Sequence, residues 1–149
     1  MNSKKNDKLE IDLLLKSGWL SVSKMYSEKA SLYNSTAVQA LTLLKIDPKE
    51  GTRSTNLGPK MAIEPTSLTR IIKLLEDGGY ICKEKTTNDK REVIIKLTEK
   101  GISSRNLSKE VVLNFNNKVS ERISTEKLGI FKEVMSEIIS IANELHEKK

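Results

Sequence analysis

Cysteine and histidine are nearly absent. Cys82 and His146 stand alone in 149 residues, which excludes an internal disulfide and a zinc centre of the usual Cys and His type. A nucleophile and base pair of the Ser-His or Cys-His kind has nothing to draw on, because His146 lies three residues from the end of a Lys- and Glu-rich segment. There is no G-x-S-x-G elbow, no G-x-x-x-x-G-K-[ST] phosphate loop and no G-x-G-x-x-G turn. An enzyme would have to work with carboxylates and lysines alone, so the residue inventory reads as that of a non-enzyme without metal or cofactor. No apolar run approaches the ~20 residues a membrane-spanning helix needs. Residues 1–8 are polar and basic and lead into no uninterrupted apolar segment, so the sequence predicts no secretory leader and a cytoplasmic location.

What is present is an ordinary apolar content of 37% and a positive balance, 26 Lys and Arg against 20 Asp and Glu, with a pI near 9.3. The length suits one folded domain with a real core. A net charge of +6 favours an anionic partner. The excess is spread along the chain, however: residues 51–101 hold ten Lys and Arg against seven Asp and Glu, and the flanks are closer to balance. Any surface for nucleic acid must therefore be assembled by folding.

Periodicity predicts the elements. Residues 9–30 form a long helix whose apolar stripe, with Leu13, Leu14, Trp19, Leu20, Val22, Met25 and Tyr26, is wider than one neighbour requires. A second helix starts where Thr36 and Gln39 have capping-box spacing, and Asp47-Pro48 stops it. Between Ser54 and Tyr80 lie two short helices around a turn at residues 62–64. The later one has Pro65 at its first position, Leu68, Ile71, Ile72, Leu74 and Leu75 on its inner side, and Gly78-Gly79 at its end. Residues 80–85 and 92–98 read as two strands joined by a polar loop, with Val93, Ile95 and Leu97 alternating to one face. Residues 102–123 and a final segment from Ser124-Thr125 return to helix, and Leu128, Phe131, Met135, Ile138, Ala142 and Leu145 form a heptad-like seam. Surplus apolar faces on the first and last helices predict a homodimer built from the two termini; the alternative is that those faces pack on each other within one chain.

Helix, helix, strand, basic loop, strand is the order of a winged helix-turn-helix, in which the second helix enters a DNA major groove and the hairpin reaches the backbone or minor groove. The outward face of residues 65–77 offers Thr66, Ser67 and Thr69 for phosphates or base edges, Arg70 for a bidentate grip on guanine, and Lys73 for a phosphate. Taken alone, such a face could equally be a solvated helix surface.

Three stretches add a resemblance: Asn56-Leu57-Gly58-Pro59-Lys60-Met61-Ala62-Ile63, then Ser67-Leu68-Thr69-Arg70-Ile71-Ile72 and Leu75-Glu76-Asp77-Gly78-Gly79-Tyr80-Ile81. Most specific of all is Asn88-Asp89-Lys90-Arg91 followed by Leu97-Thr98-Glu99-Lys100-Gly101. Over residues 52–101 the chain resembles the MarR family of dimeric winged helix-turn-helix regulators. That resemblance implies that Arg91 enters a minor groove with Asp89 holding its guanidinium, and that Lys90 shares the wing tip. Physics agrees: a narrow minor groove has strong negative potential, and an anchored Arg loses less rotamer freedom on docking. The resemblance also implies a small amphipathic or aromatic ligand that lowers DNA affinity. Trp19, Met25, Tyr26 and Tyr33 could line its pocket, although residues of that kind at helical spacing are more often core. Some family members sense oxidants through a cysteine near the start of the first long helix. This chain has none there, and Cys82, between Ile81 and Lys83, reads as a small buried hydrophobe.

The expected fold is thus mainly α with a small β-hairpin wing: a basic tail at 1–8, a dimerisation helix at 9–34, a DNA-binding lobe at 35–101 and dimerisation helices at 102–149. The expected function is a transcriptional regulator, a repressor on a roughly palindromic operator, released by a ligand. A winged-helix module that holds protein partners without a DNA role is the rival, since fold does not imply function. Pro59 departs from a simple motif, because a missing N–H and a ring clash should shorten or kink the first helix there.

Overall fold

The computed structural model describes residues 10–86, 88–89 and 91–147. Six helices and a three-stranded antiparallel sheet follow in the order α1 (Ile11–Ser31), α2 (Ala37–Lys45), β1 (Thr52–Arg53), α3 (Ser54–Met61), α4 (Pro65–Asp77), β2 (Ile81–Lys85), β3 (Val93–Leu97), α5 (Glu99–Arg122) and α6 (Thr125–Glu147). The chain divides within α5 into two units, one ending at Val111 and the other beginning at Val112.

In the first unit, local chemistry sets each boundary. Thr36 and Gln39 form the reciprocal capping box: the Gln39 N–H donates to Thr36 Oγ1 and the Thr36 N–H to Gln39 Oε1, both at 3.2 Å. After α2 the Asp47 carboxylate accepts the Lys49 and Glu50 N–H groups at 2.8 Å, while its own N–H donates to the buried Thr52 hydroxyl at 2.9 Å. Those two backbone donors hold the Asp47 carboxyl below the ordinary carboxylate range. Gly51 then takes φ +76°, and a Cβ there would come within 2.7 Å of the Ile95 carbonyl, so only glycine lets the chain turn directly into the sheet.

The sheet order is β1-β3-β2, with Thr52 opposite Ile95 and Ile81, Lys83 and Lys85 opposite Leu97, Ile95 and Val93. β1 is a strand that sequence periodicity does not reveal, since two residues carry no period. Helix α3 runs through Pro59 to Met61, where the expectation was a shortened or kinked element. Pro59 is exposed, and its missing N–H leaves one bond unmade in an eight-residue helix. α3 closes with Ala62 in the left-handed region at φ 52° and the Ile63 N–H bonded to the Gly58 carbonyl.

Leu43, Ile46, Leu57, Leu68, Ile72, Leu75, Ile81 and Ile95 form the core, with Ile63, Ile71, Tyr80, Val93 and Leu97 packed against it. Each fully buried aliphatic side chain contributes roughly 1.5–3 kcal/mol of transfer free energy, so this cluster holds α2, α3, α4 and the sheet as one lobe. In the second unit α6 buries no residue: Phe131 is 61% exposed and Leu145 71%. Much of α1 is equally open in the single chain, with Trp19 63% and Leu20 66% exposed. No helix among the described residues is long and apolar enough to cross a membrane.

Candidate nucleic-acid interface

Helix α4 is positioned by its inner face. Leu68, Ile72 and Leu75 are buried at spacings of four and three, which turns Thr66, Ser67, Thr69, Arg70 and Lys73 outward, and all five are exposed. Its start is set by Pro65 and its end by a Schellman turn: Gly79 sits at φ +77°, its N–H reaches the Glu76 carbonyl, and the Tyr80 N–H reaches the Leu75 carbonyl at 2.9 Å. On the outward face the atoms differ in availability. Thr69 Oγ1 donates to the Pro65 carbonyl at 2.9 Å, and Lys73 Nζ pairs with Asp77 at 3.2 Å. Arg70 makes no ion pair among the described residues.

The hairpin between β2 and β3 is tied at its base by Thr86, whose hydroxyl accepts the Asp89 N–H and donates to the Asp89 carbonyl at 2.9 Å. The Glu92 carboxylate pairs with Arg53 of β1, and Lys96 of β3 pairs with Glu84 of β2 at 2.9 Å. The Glu84 carboxylate raises the Lys96 ammonium above the ordinary lysine value. At the tip the Asp89 carboxylate accepts the backbone N–H of Arg91 at 2.9 Å. The expectation was a grip on the Arg91 guanidinium, and no such ion pair occurs among the described residues. Asp89 instead fixes the turn from which an exposed Arg91 side chain projects. Lys90 lies outside the described residues, as does the expected tail at 1–8. Cys82 is exposed, a correction to its reading as a buried hydrophobe: Ile81 takes the inward position of β2, so alternation sends Cys82 to the other face.

Sequence reasoning used the Leu-Thr-Glu-Lys-Gly run as a signature without seeing what it does. The Thr98 N–H donates to the Tyr80 carbonyl at 3.1 Å, its hydroxyl donates to the Gly79 carbonyl at 2.6 Å and accepts the Gly101 N–H at 3.1 Å, capping α5. Lys100 Nζ donates to the Gly78 carbonyl at 2.7 Å and lies 4.3 Å from the centre of the Tyr80 ring. A Cβ at Gly101 would stand 1.9 Å from the Tyr80 carbonyl oxygen. The motif thus clamps the start of α5 onto the three residues that end α4. Its signal was the fixed spacing of Thr, Lys and Gly after a strand.

Exposed hydroxyls and one unpaired guanidinium on a rigid helix, beside a hairpin tipped by arginine, are chemically suited to phosphates and base edges. Known proteins are similar to this chain over the same lobe. Residues 35–93 match the model of the MarR family. The HTH-type transcriptional regulator SarZ of Staphylococcus saprophyticus is 28% identical over 110 residues, covering 71% of this chain and 75% of the relative. The organic hydroperoxide resistance transcriptional regulator of Bacillus subtilis is 27% identical over 143 residues, 95% of this chain and 94% of that one. Among solved structures the S. aureus MepR–DNA complex superposes with a TM-score of 0.79 at 16% identity over 87% of this chain and 96% of MepR, a likeness that establishes the fold. The family match lies on the lobe that carries α4 and the start of the wing, and over those residues this chain is similar to the MarR family.

Proposed function

We infer that the protein is a homodimeric DNA-binding transcriptional regulator, a repressor that a small amphipathic or aromatic ligand releases from a roughly palindromic operator. Each protomer lays α4 in a major groove, with Thr66, Ser67, Thr69, Arg70 and Lys73 on phosphates and base edges, and the two grooves lie about one helical turn apart. Arg91 enters the adjacent minor groove from a wing tip shaped by Asp89, with Lys90 beside it. Residues 35–101 form the reading lobe, and the helices at 9–34 and 102–149 join the protomers through their exposed apolar rows. Ligand binding changes the separation of the two reading helices, and a spacing mismatch loses both half-sites together. A protein that acts on the chromosome in this way works in the cytoplasm.

The observation that carries the reading is the outward face of α4, polar, exposed and held rigid by Leu68, Ile72 and Leu75, next to the arginine-tipped hairpin. Support comes also from the relatives, which are named as transcriptional regulators, and from MepR, whose structure is that of a DNA complex. The test is binding to duplex DNA from the region upstream of its own reading frame at two salt concentrations. Wild-type affinity should fall steeply with salt, because phosphate contacts release counterions, and Arg91→Ala should weaken binding tenfold or more while leaving the dimer intact. Binding that ignores salt and Arg91 would instead favour a protein-interaction module.

A further inference from the structure

The reading face of α4 is chemically divided. Around Arg70 it is polar, while its flank toward α3 carries an apolar strip. The single hydroxyl proton of Thr69 is held by the Pro65 carbonyl at 2.9 Å, so what Thr69 offers outward is its γ-methyl group and oxygen lone pairs, with no donor. Pro65 lies four residues earlier, hence on the same flank, and presents a ring without an N–H. Ala62 and Pro59 continue the strip; all four are exposed and line one cleft, with Ser54, Thr55 and Glu64 at its polar border. An exposed apolar strip at the N-terminal end of a reading helix has one apolar counterpart in a major groove, the C5-methyl group of thymine.

Resting on the DNA-binding reading, we propose that the Pro65 and Thr69 flank reads a thymine through its methyl group, in the same half-site as the guanine contacted by Arg70. Thr69 then selects by shape and desolvation, while Arg70 selects by paired hydrogen bonds. The assignment separates two residues of similar position into different kinds of readout. It also predicts different failures for substitutions that keep the hydroxyl and those that keep the methyl.

The experiment uses a palindromic duplex that the full-length protein selects from a random-sequence pool. Each thymine is replaced in turn by deoxyuridine, in both half-sites, and affinity is read by fluorescence anisotropy. Losing one buried methyl should weaken binding about fourfold per half-site, about fifteenfold for the symmetric pair, at one thymine position. Thr69→Val should keep that discrimination, and Thr69→Ser should bind the thymine and uracil duplexes alike. Position 69 is exposed on α4, so both variants keep the fold. Equal affinity for thymine and uracil duplexes at every position overturns the methyl reading and leaves the regulator reading standing. Discrimination that survives Thr69→Ser or vanishes with Thr69→Val likewise overturns the assignment of that contact to the Thr69 methyl group. Failure to bind any duplex overturns both.

Discussion

Two aspartates show how much a carboxylate can do by accepting backbone N–H groups. Asp89 shapes the wing by accepting the Arg91 N–H, a bond that an asparagine oxygen can replace. Asp89→Asn should therefore keep DNA affinity within about threefold of wild type, or raise it by removing a negative charge from the interface, while Asp89→Ala should weaken binding several-fold. A guanidinium clamp would predict equal losses in both, so titrating the two variants against one duplex decides the matter. Asp47 works at the turn before the sheet, where the Lys49 and Glu50 N–H groups lower its pKa. A carboxyl lowered in the folded state adds stability that is complete above its unfolded value and is lost as pH falls through the folded one. Thermal melts from neutral pH downward should show the wild type losing more stability below the ordinary carboxylate range than Asp47→Asn does; parallel curves would remove Asp47 from acid stability.

Among the elements, the junction between α4 and α5 is the most tightly specified. Gly101→Ala places a methyl group against the Tyr80 carbonyl and should cost about 2–3 kcal/mol, or prevent folding, as read by loss of helical circular dichroism on heating. A variant that melts with the wild type would mean that the clamp yields freely. This junction also marks where the sequence was legible and where it was not. The capping box at Thr36 and Gln39, most of the inner face of α4, with Leu68, Ile72 and Leu75 buried but Leu74 half exposed, and the stop at Gly78-Gly79 were readable because each is a local pattern that the backbone answers locally. β1 was not, since Thr52 and Arg53 become a strand only through pairing with Ile95 and Ile94. Nor was the side to which Cys82 points, because one residue of register decides it. The candidate site divided in the same way: the outward placement of Thr66, Ser67, Thr69, Arg70 and Lys73 follows from periodicity, whereas the true partner of Asp89 depends on the turn geometry at the wing tip.

For the whole molecule, the apolar residues left open in one chain are the argument for two. Ile130, Phe131, Val134, Ile139, Ile141 and Leu145 of α6 are all about half exposed or more, a row larger than a soluble monomer usually leaves in water. Removing the chain after Ile123 should convert a dimer to a monomer in sedimentation velocity and reduce operator affinity by orders of magnitude through loss of the second half-site. A truncated chain that still sediments as a dimer would place the interface elsewhere. The clamp that ends α4 has a different kind of consequence. It grips the carbonyls of Gly78, Gly79 and Tyr80 and touches none of Thr66, Ser67, Thr69 or Arg70. The clamp therefore places no demand on those four residues, and descendants of this chain are free to drift from one operator to another while inheriting the same fixed joint between α4 and α5.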